Sequence, residues 1–166
     1  CNIQKMMEIG KKGVLALLCE SSYSKNDGYT SPKHKLTDKI ESIFEDATGR
    51  IIISSYAQNA FRTQEIAQLA KKYNRKICFY GRDKYDNTNT IMRIARHTKR
   101  PILDIHPSYI ADSKAISDKK NMDKLVVLLS GSPRRIYHDI LDIIDGGDEK
   151  LKLQESDTFI VASPVL

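Results

Sequence analysis

Arginines and small hydroxyl residues, rather than histidines or paired carboxylates, are the side chains whose placement in this sequence suits chemistry. Arg62, Arg82 and the Arg134-Arg135 pair each lie beyond a short apolar run. A guanidinium carries five N–H donors in a planar fork and can hold a phosphate bidentately. Glu20-Ser21-Ser22, Ser54-Ser55-Tyr56-Ala57-Gln58-Asn59, Ser130-Gly131-Ser132 and Ser163-Pro164 also follow such runs. Small residues at those places let backbone amides and helix N-termini face an anion. Taken singly, they are also the ordinary turn and N-cap residues of any α/β protein. The arginines, too, have acidic neighbours to pair with: Glu65, Asp83 and Asp139. Arg62 and Arg134-Arg135 are expected in first helical turns, where a cation opposes the macrodipole and a bound phosphate would remove the conflict.

Other chemistries find no support. His34, His97, His106 and His138 form no pair at metal-ligand spacing and none stands beside a cysteine, so no zinc-binding motif is present and each reads as a surface or capping residue. Gly131-Ser132-Pro133 lacks the lysine and further glycines of a nucleotide-binding loop. Neither Ser22 nor Ser132 has small residues on both sides in the manner of a hydrolase nucleophile.

The elements that must position these residues alternate along most of the 166-residue chain, long enough for one domain and a piece of a second. Unbroken apolar runs predict strands at residues 14–18, 51–53, 76–80, 102–105, 125–129 and 159–162. Helical spacing predicts helices over residues 33–48, around Ile66, Leu69, Ala70 and Tyr73, over 91–97, and through Ile136, Ile140, Leu141 and Ile144 up to Gly146-Gly147. Strands without polar alternation, separated by crossover-length helices, predict an α/β fold. It is a mostly parallel sheet with helices on both faces, a Rossmann- or flavodoxin-like three-layer arrangement. Residues 21–32, rich in Ser, Asn, Asp, Gly and Pro, are the expected boundary before the α/β body.

Cys1, Cys19 and Cys78 are odd in number, and the last two sit in apolar runs. Buried free thiols in a reducing cytoplasm are therefore expected. No apolar run approaches the roughly 20 residues of a membrane span, and Lys5, Glu8, Lys11 and Lys12 interrupt any signal-like stretch. The formal net charge of +6 suits a polyanionic partner without requiring one. The first residue is Cys1 rather than methionine, as expected of a piece of a longer protein.

Several segments taken in order resemble ribonuclease J proteins. Met7 to Ser22 resembles the segment in which a strand ends in an acidic residue, serine, then threonine or serine. Gly49-Arg50-Ile51-Ile52 and Tyr56-Ala57-Gln58-Asn59 resemble that family's Gly-Arg-Ile-Ile and Phe/Tyr-Ala-Ser-Asn, with Arg62 matching an arginine three positions on. Asn74-Arg75-Lys76 through Gly81-Arg82 is similar to its Asn/Gly-Arg-Lys strand ending in Gly-Arg-Ser. Ser130-Gly131-Ser132 and Ser163-Pro164 stand where it has Gly-Ser-Gln-Gly-Glu and Ser-Pro. Departures fall on the same rim: Gln58 for serine, Phe61 for histidine, Asp83 for serine, and Pro133-Arg134-Arg135 for Gln-Gly-Glu.

The resemblance implies a β-CASP domain over residues 27–166, preceded by the end of a metallo-β-lactamase-like part over residues 1–26. It implies RNA as partner, held by Ser22, Asn59, Arg62, Arg82, Ser130, Gly131 and Ser132, and a catalytic supporting role for Glu20 beside a metal centre. Zinc is expected in the intact parent, whose histidine motifs lie before and after this segment, and no cofactor is expected in this chain. The remainder of the metallo-β-lactamase domain is an expected partner, as is a second copy or a paralogue. The expected function is thus the RNA-binding portion of a zinc-dependent phosphodiesterase of RNA processing and decay, inactive by itself. The alternative is a non-catalytic oligomerisation or scaffold module of an RNA-decay complex.

Overall fold

The structure, a computed structural model, describes residues 2–19, 25, 27, 37–56, 59–81, 93, 97 and 103–162. It divides into two units, Cys1–His34 and Lys35–Leu166. In the first, helix α1 (Ile3–Lys12) starts where the Asn2 side chain accepts from the Lys5 N–H at 3.0 Å and stops at Gly13, whose φ of 80° suits glycine. None of its residues is buried. Residues 14–18, expected as a buried strand, make no strand pairing, and Val14, Leu15, Leu17 and Leu18 are exposed. Apolar composition does not make a strand without a second backbone to pair with, and the described residues of this unit offer none. Cys19, expected to be buried, is exposed for the same reason, whereas Cys78 is buried as anticipated.

The second unit is built on four parallel strands: β1 (Ile51–Tyr56), β2 (Lys76–Tyr80), β3 (Leu125–Gly131) and β4 (Thr158–Val161), in the order β2-β3-β1-β4. Helices α2 (Thr37–Asp46) and α3 (Ala60–Lys72) cover one face. There Ile40, Phe44, Ile66 and Leu69 pack on Ile51, Ile53, Val126 and Leu128. Helix α4 (Pro133–Ile144) covers the other, with Ile136, Ile140 and Ile143 against Ile52, Val127 and Leu129. The expected three-layer α/β fold is therefore present. Burial on both faces is why the central strands β1 and β3 read as unbroken apolar runs, and each fully buried Ile or Leu contributes about 1.5–3 kcal/mol.

Residues 102–105 were expected to add a strand. Instead, Leu103 and Ile105 are buried in the α2/α3 layer while their backbone joins no strand. The Gln64 side chain supplies the missing partner, accepting from the Asp104 N–H at 2.7 Å and donating to its carbonyl at 3.3 Å. A side-chain amide has met the backbone requirement that a neighbouring strand would otherwise meet. Of the helix expected over residues 91–97, only Arg93 and His97 are described, both helical and exposed; the others lie outside the described residues.

Two arginines fasten the amino-terminal ends of the strands. Arg50, 1% exposed, is bidentate to Asp157, with Nε donating at 2.8 Å, and also donates to the Ile116 and Lys152 carbonyls at 2.7 Å each. Arg75 donates to the carbonyls of Gly49 at 2.7 Å and Ala47 at 2.6 Å. Burial lowers its pKa, countered in part by Asp123. Gly49 is required by space: a Cβ there would lie 2.2 Å from the Ser156 carbonyl oxygen.

Candidate nucleic-acid interface

The chain leaves β1 through α3 and crosses β3 to reach β2; it leaves β3 through α4 and crosses β1 to reach β4. The crossovers run in opposite directions, so the right-handed rule places their helices on opposite faces. At the carboxyl ends of neighbouring β1 and β3 the backbone therefore departs to both sides, opening the kind of crevice where α/β sheets take ligands. Register sets Ser55 beside Ser130 and Tyr56 beside Gly131. Asn59, three residues past Tyr56, and Ser132, one past Gly131, begin the two helices on either side.

The Asn59 side chain caps α3, accepting from the Arg62 N–H at 3.0 Å. Its carbonyl accepts from the N–H of Thr63 at 3.1 Å and from the Thr63 hydroxyl at 3.2 Å. Arg62 lies in the first turn, as expected, with its side chain 12% exposed. Its Nη1 donates to Glu65 Oε2 at 2.7 Å, one of the pairings open from the sequence. The buried Arg62 Nε finds no acceptor among the described residues, and neither does Ser55 Oγ, in a residue 1% exposed. An unmet buried polar group costs about 1–3 kcal/mol.

Strand alternation puts Ser55 on the side of Ile51 and Ile53, and Ser130 on the side of Val126 and Leu128, the α3 face in both cases. Two hydroxyl residues thus stand side by side on that face as the strands end. Across the crevice, Ser132 is exposed and makes no side-chain cap bond to α4. A Cβ at Gly131 would meet the Ile136 nitrogen at 3.7 Å, ordinary contact, so packing alone does not demand glycine there. Arg134 and Arg135 are exposed on the first turn of α4 and, with Ser132, His138 and Asp139, line a depression of about 570 Å³.

The structure thus brings together Asn59, Arg62, Ser130, Gly131 and Ser132 at one end of the sheet. Glu20, Ser22 and Arg82 lie outside the described residues. Ser55 and Glu65 were not singled out from the sequence as site residues, although strand alternation and the i,i+3 spacing of Arg62 and Glu65 were signals for both. Also missed was a cavity of about 830 Å³ at the end of β2, walled by Asp112, Asp139, Asp142, Asp148 and Glu149. Tyr80 O–H donates into it, to Asp148 at 2.7 Å. Burial, then Asp148, pushes the Tyr80 pKa well up. For Asp148 burial acts upward, but hydrogen bonds from the Leu151 N–H, Tyr80 O–H and Lys150 N–H outweigh it and hold the carboxyl below its ordinary value. Larger than the rim depression, this cavity carries the wrong charge for a phosphate.

Residues 48–166 match the family model described as "Ribonuclease J, beta-CASP domain". The chain belongs to the ribonuclease J family. It is 30% identical over 140 residues to an uncharacterized protein of Mycoplasma genitalium, covering 84% of this chain and 23% of that one. It is 38% identical over 81 residues to ribonuclease J 2 of Staphylococcus saprophyticus, covering 49% and 14%. Against ribonuclease J 2 of Staphylococcus aureus it is 26% identical over 161 residues, 97% of this chain and 28% of the relative. The chain therefore spans less than a third of the length of each.

Within this β-CASP domain the family-like segments divide by position. Gly49-Arg50-Ile51-Ile52 and Asn74-Arg75-Lys76 build the amino-terminal frame, while Asn59, Arg62 and Ser130-Gly131-Ser132 lie at the other end of the same strands. Among the described residues, no group of three or more His, Cys, Asp or Glu side chains is placed to hold a metal ion. The described part does not fit a zinc centre. His106 is a capping residue, its Nδ1 accepting from the Ser108 N–H at 3.3 Å. Among the described residues no helix is long and apolar enough to cross a membrane.

Proposed function

We propose that the rim between β1 and β3 grips the phosphates of RNA, and that this chain is the RNA-binding portion of a ribonuclease J-type phosphodiesterase. The observation that carries this reading is the Arg62 guanidinium, held at a helix N-terminus beside the switch crevice with its buried Nε lacking an acceptor. A phosphate oxygen supplies that acceptor and suits the positive end of the α3 dipole. Asn59, Ser130, Gly131 and Ser132 then shape the contact, and Arg134 and Arg135 widen the basic surface. Phosphate contacts position a strand without reading its bases, so binding is expected to be indifferent to sequence. Ser22, Arg82 and the role of Glu20 rest on the family resemblance.

The whole parent, in this proposal, is a zinc-dependent hydrolase of cytoplasmic RNA processing and decay, assembled as a homo-oligomer or with a paralogue. Its metal ligands come from elsewhere in the parent and its Glu20 orients one of them, while this chain alone is inactive. A salt titration of single-stranded RNA binding tests the grip. Arg62→Ala should weaken binding alike for every sequence and flatten the log-log salt dependence by roughly 0.7. Parental affinity and slope in the variant would move the RNA site elsewhere and bring the non-catalytic oligomerisation module forward.

A further inference from the structure

We infer that Glu65 is an internal stand-in for phosphate, occupying Arg62 in the RNA-free domain and giving it up when RNA binds. The inference rests on the rim reading and assigns it a regulating residue. Glu65 stands three positions after Arg62 on α3, and its Oε2 accepts from Nη1 at 2.7 Å. The two side chains are 12% and 26% exposed, so water screens their attraction less than it would a surface pair. A carboxylate offers the guanidinium the same acceptor chemistry as a phosphate.

The pairing is incomplete, because Glu65 leaves the Arg62 Nε without an acceptor among the described residues. Ser55 Oγ, 99% buried on the face that α3 covers, is a second unmet polar group where β1 ends. A phosphate has more acceptor oxygens than one carboxylate oxygen engages, so it can replace Glu65 and satisfy what Glu65 does not. The apparent affinity for a partly occupied group is reduced to the fraction of it that is free. Glu65 therefore sets the RNA affinity through Arg62 without itself touching RNA, which makes it a positioning residue.

The test uses the 166-residue chain and a short fluorescein-labelled oligouridylate at low ionic strength, read by anisotropy, with Arg62→Ala, Glu65→Gln and the double variant. Glu65→Gln should bind roughly two- to fivefold tighter, the worth of one partly screened ion pair, with an unchanged thermal midpoint. In the Arg62→Ala background the same substitution should add nothing. If Arg62→Ala weakens binding while Glu65→Gln leaves it equal or weaker, the stand-in role is refuted and the rim survives. An equal gain in both backgrounds would mean general charge repulsion and would also overturn it. Parental affinity in Arg62→Ala would sink the rim itself.

Discussion

The two ends of the sheet use arginine in opposite ways. At the amino-terminal end, Arg50 donates to Asp157, Ile116 and Lys152, and Arg75 to Gly49 and Ala47, both almost fully buried. At the carboxyl-terminal end, Arg62 pairs with Glu65 on its own helix, and among the described residues its buried Nε–H meets no acceptor. An arginine that joins distant parts of the chain has its donors absorbed by the fold. One left partly unmet at a strand-end crevice remains available to a ligand. The contrast separates frame from site within one family pattern.

The comparison breaks most readily at Arg50. Arg50→Ala leaves Asp157 buried without its counter-charge and should destabilise the domain by about 3–5 kcal/mol in urea unfolding. A negligible change would mean the clamp is not what fastens that end. Gly49→Ala drives a methyl into the Ser156 backbone, and its expected cost is about 1–3 kcal/mol. Arg62→Ala belongs at the other extreme. Removing an unmet donor and an i,i+3 pair worth about 0.4–1 kcal/mol should leave the unfolding midpoint nearly unchanged, while RNA affinity falls.

Asp148 sharpens the comparison from the acidic cavity, away from the rim. Its carboxyl is held below the ordinary value, so its contribution is present above the unfolded carboxylate pKa and is lost as pH falls through the lower folded value. Asp148→Asn should therefore be less stable than the parent near neutrality. The gap should close in acid, without change in RNA binding. A gap independent of pH would exclude this linkage.

Much of the frame was legible because its signals are local. The runs through Ile51 and Leu125 are buried on both faces and carry the composition to say so, and Ile136, Ile140 and Ile143 declare one helix face. What local pattern could not reveal was the partner. Residues 14–18 have the composition of a buried strand but find no backbone to pair with among the described residues of their unit. Leu103 and Ile105 are core residues, and the backbone of Asp104 between them is satisfied by Gln64, 40 positions away. The burial of Arg50 depends on Asp157, 107 positions on, and no local pattern places the two side by side. At the site, the cap at Asn59 and the pairing of Arg62 with Glu65 were readable from spacing. The side-by-side placement of Ser55 and Ser130 needed the strand order, which brings β3 next to β1 across a long insertion.

The central claim is that RNA meets the carboxyl-terminal ends of the strands. Amide hydrogen exchange on the 166-residue chain, with and without saturating single-stranded RNA, compares the two ends in one experiment. The account predicts added protection at the first turns of α3 and α4, from Asn59 to Thr63 and from Ser130 to Arg135, with none at Gly49, Arg50 or Arg75. Protection confined to the amino-terminal end, or to the acidic cavity around Asp148, would contradict it.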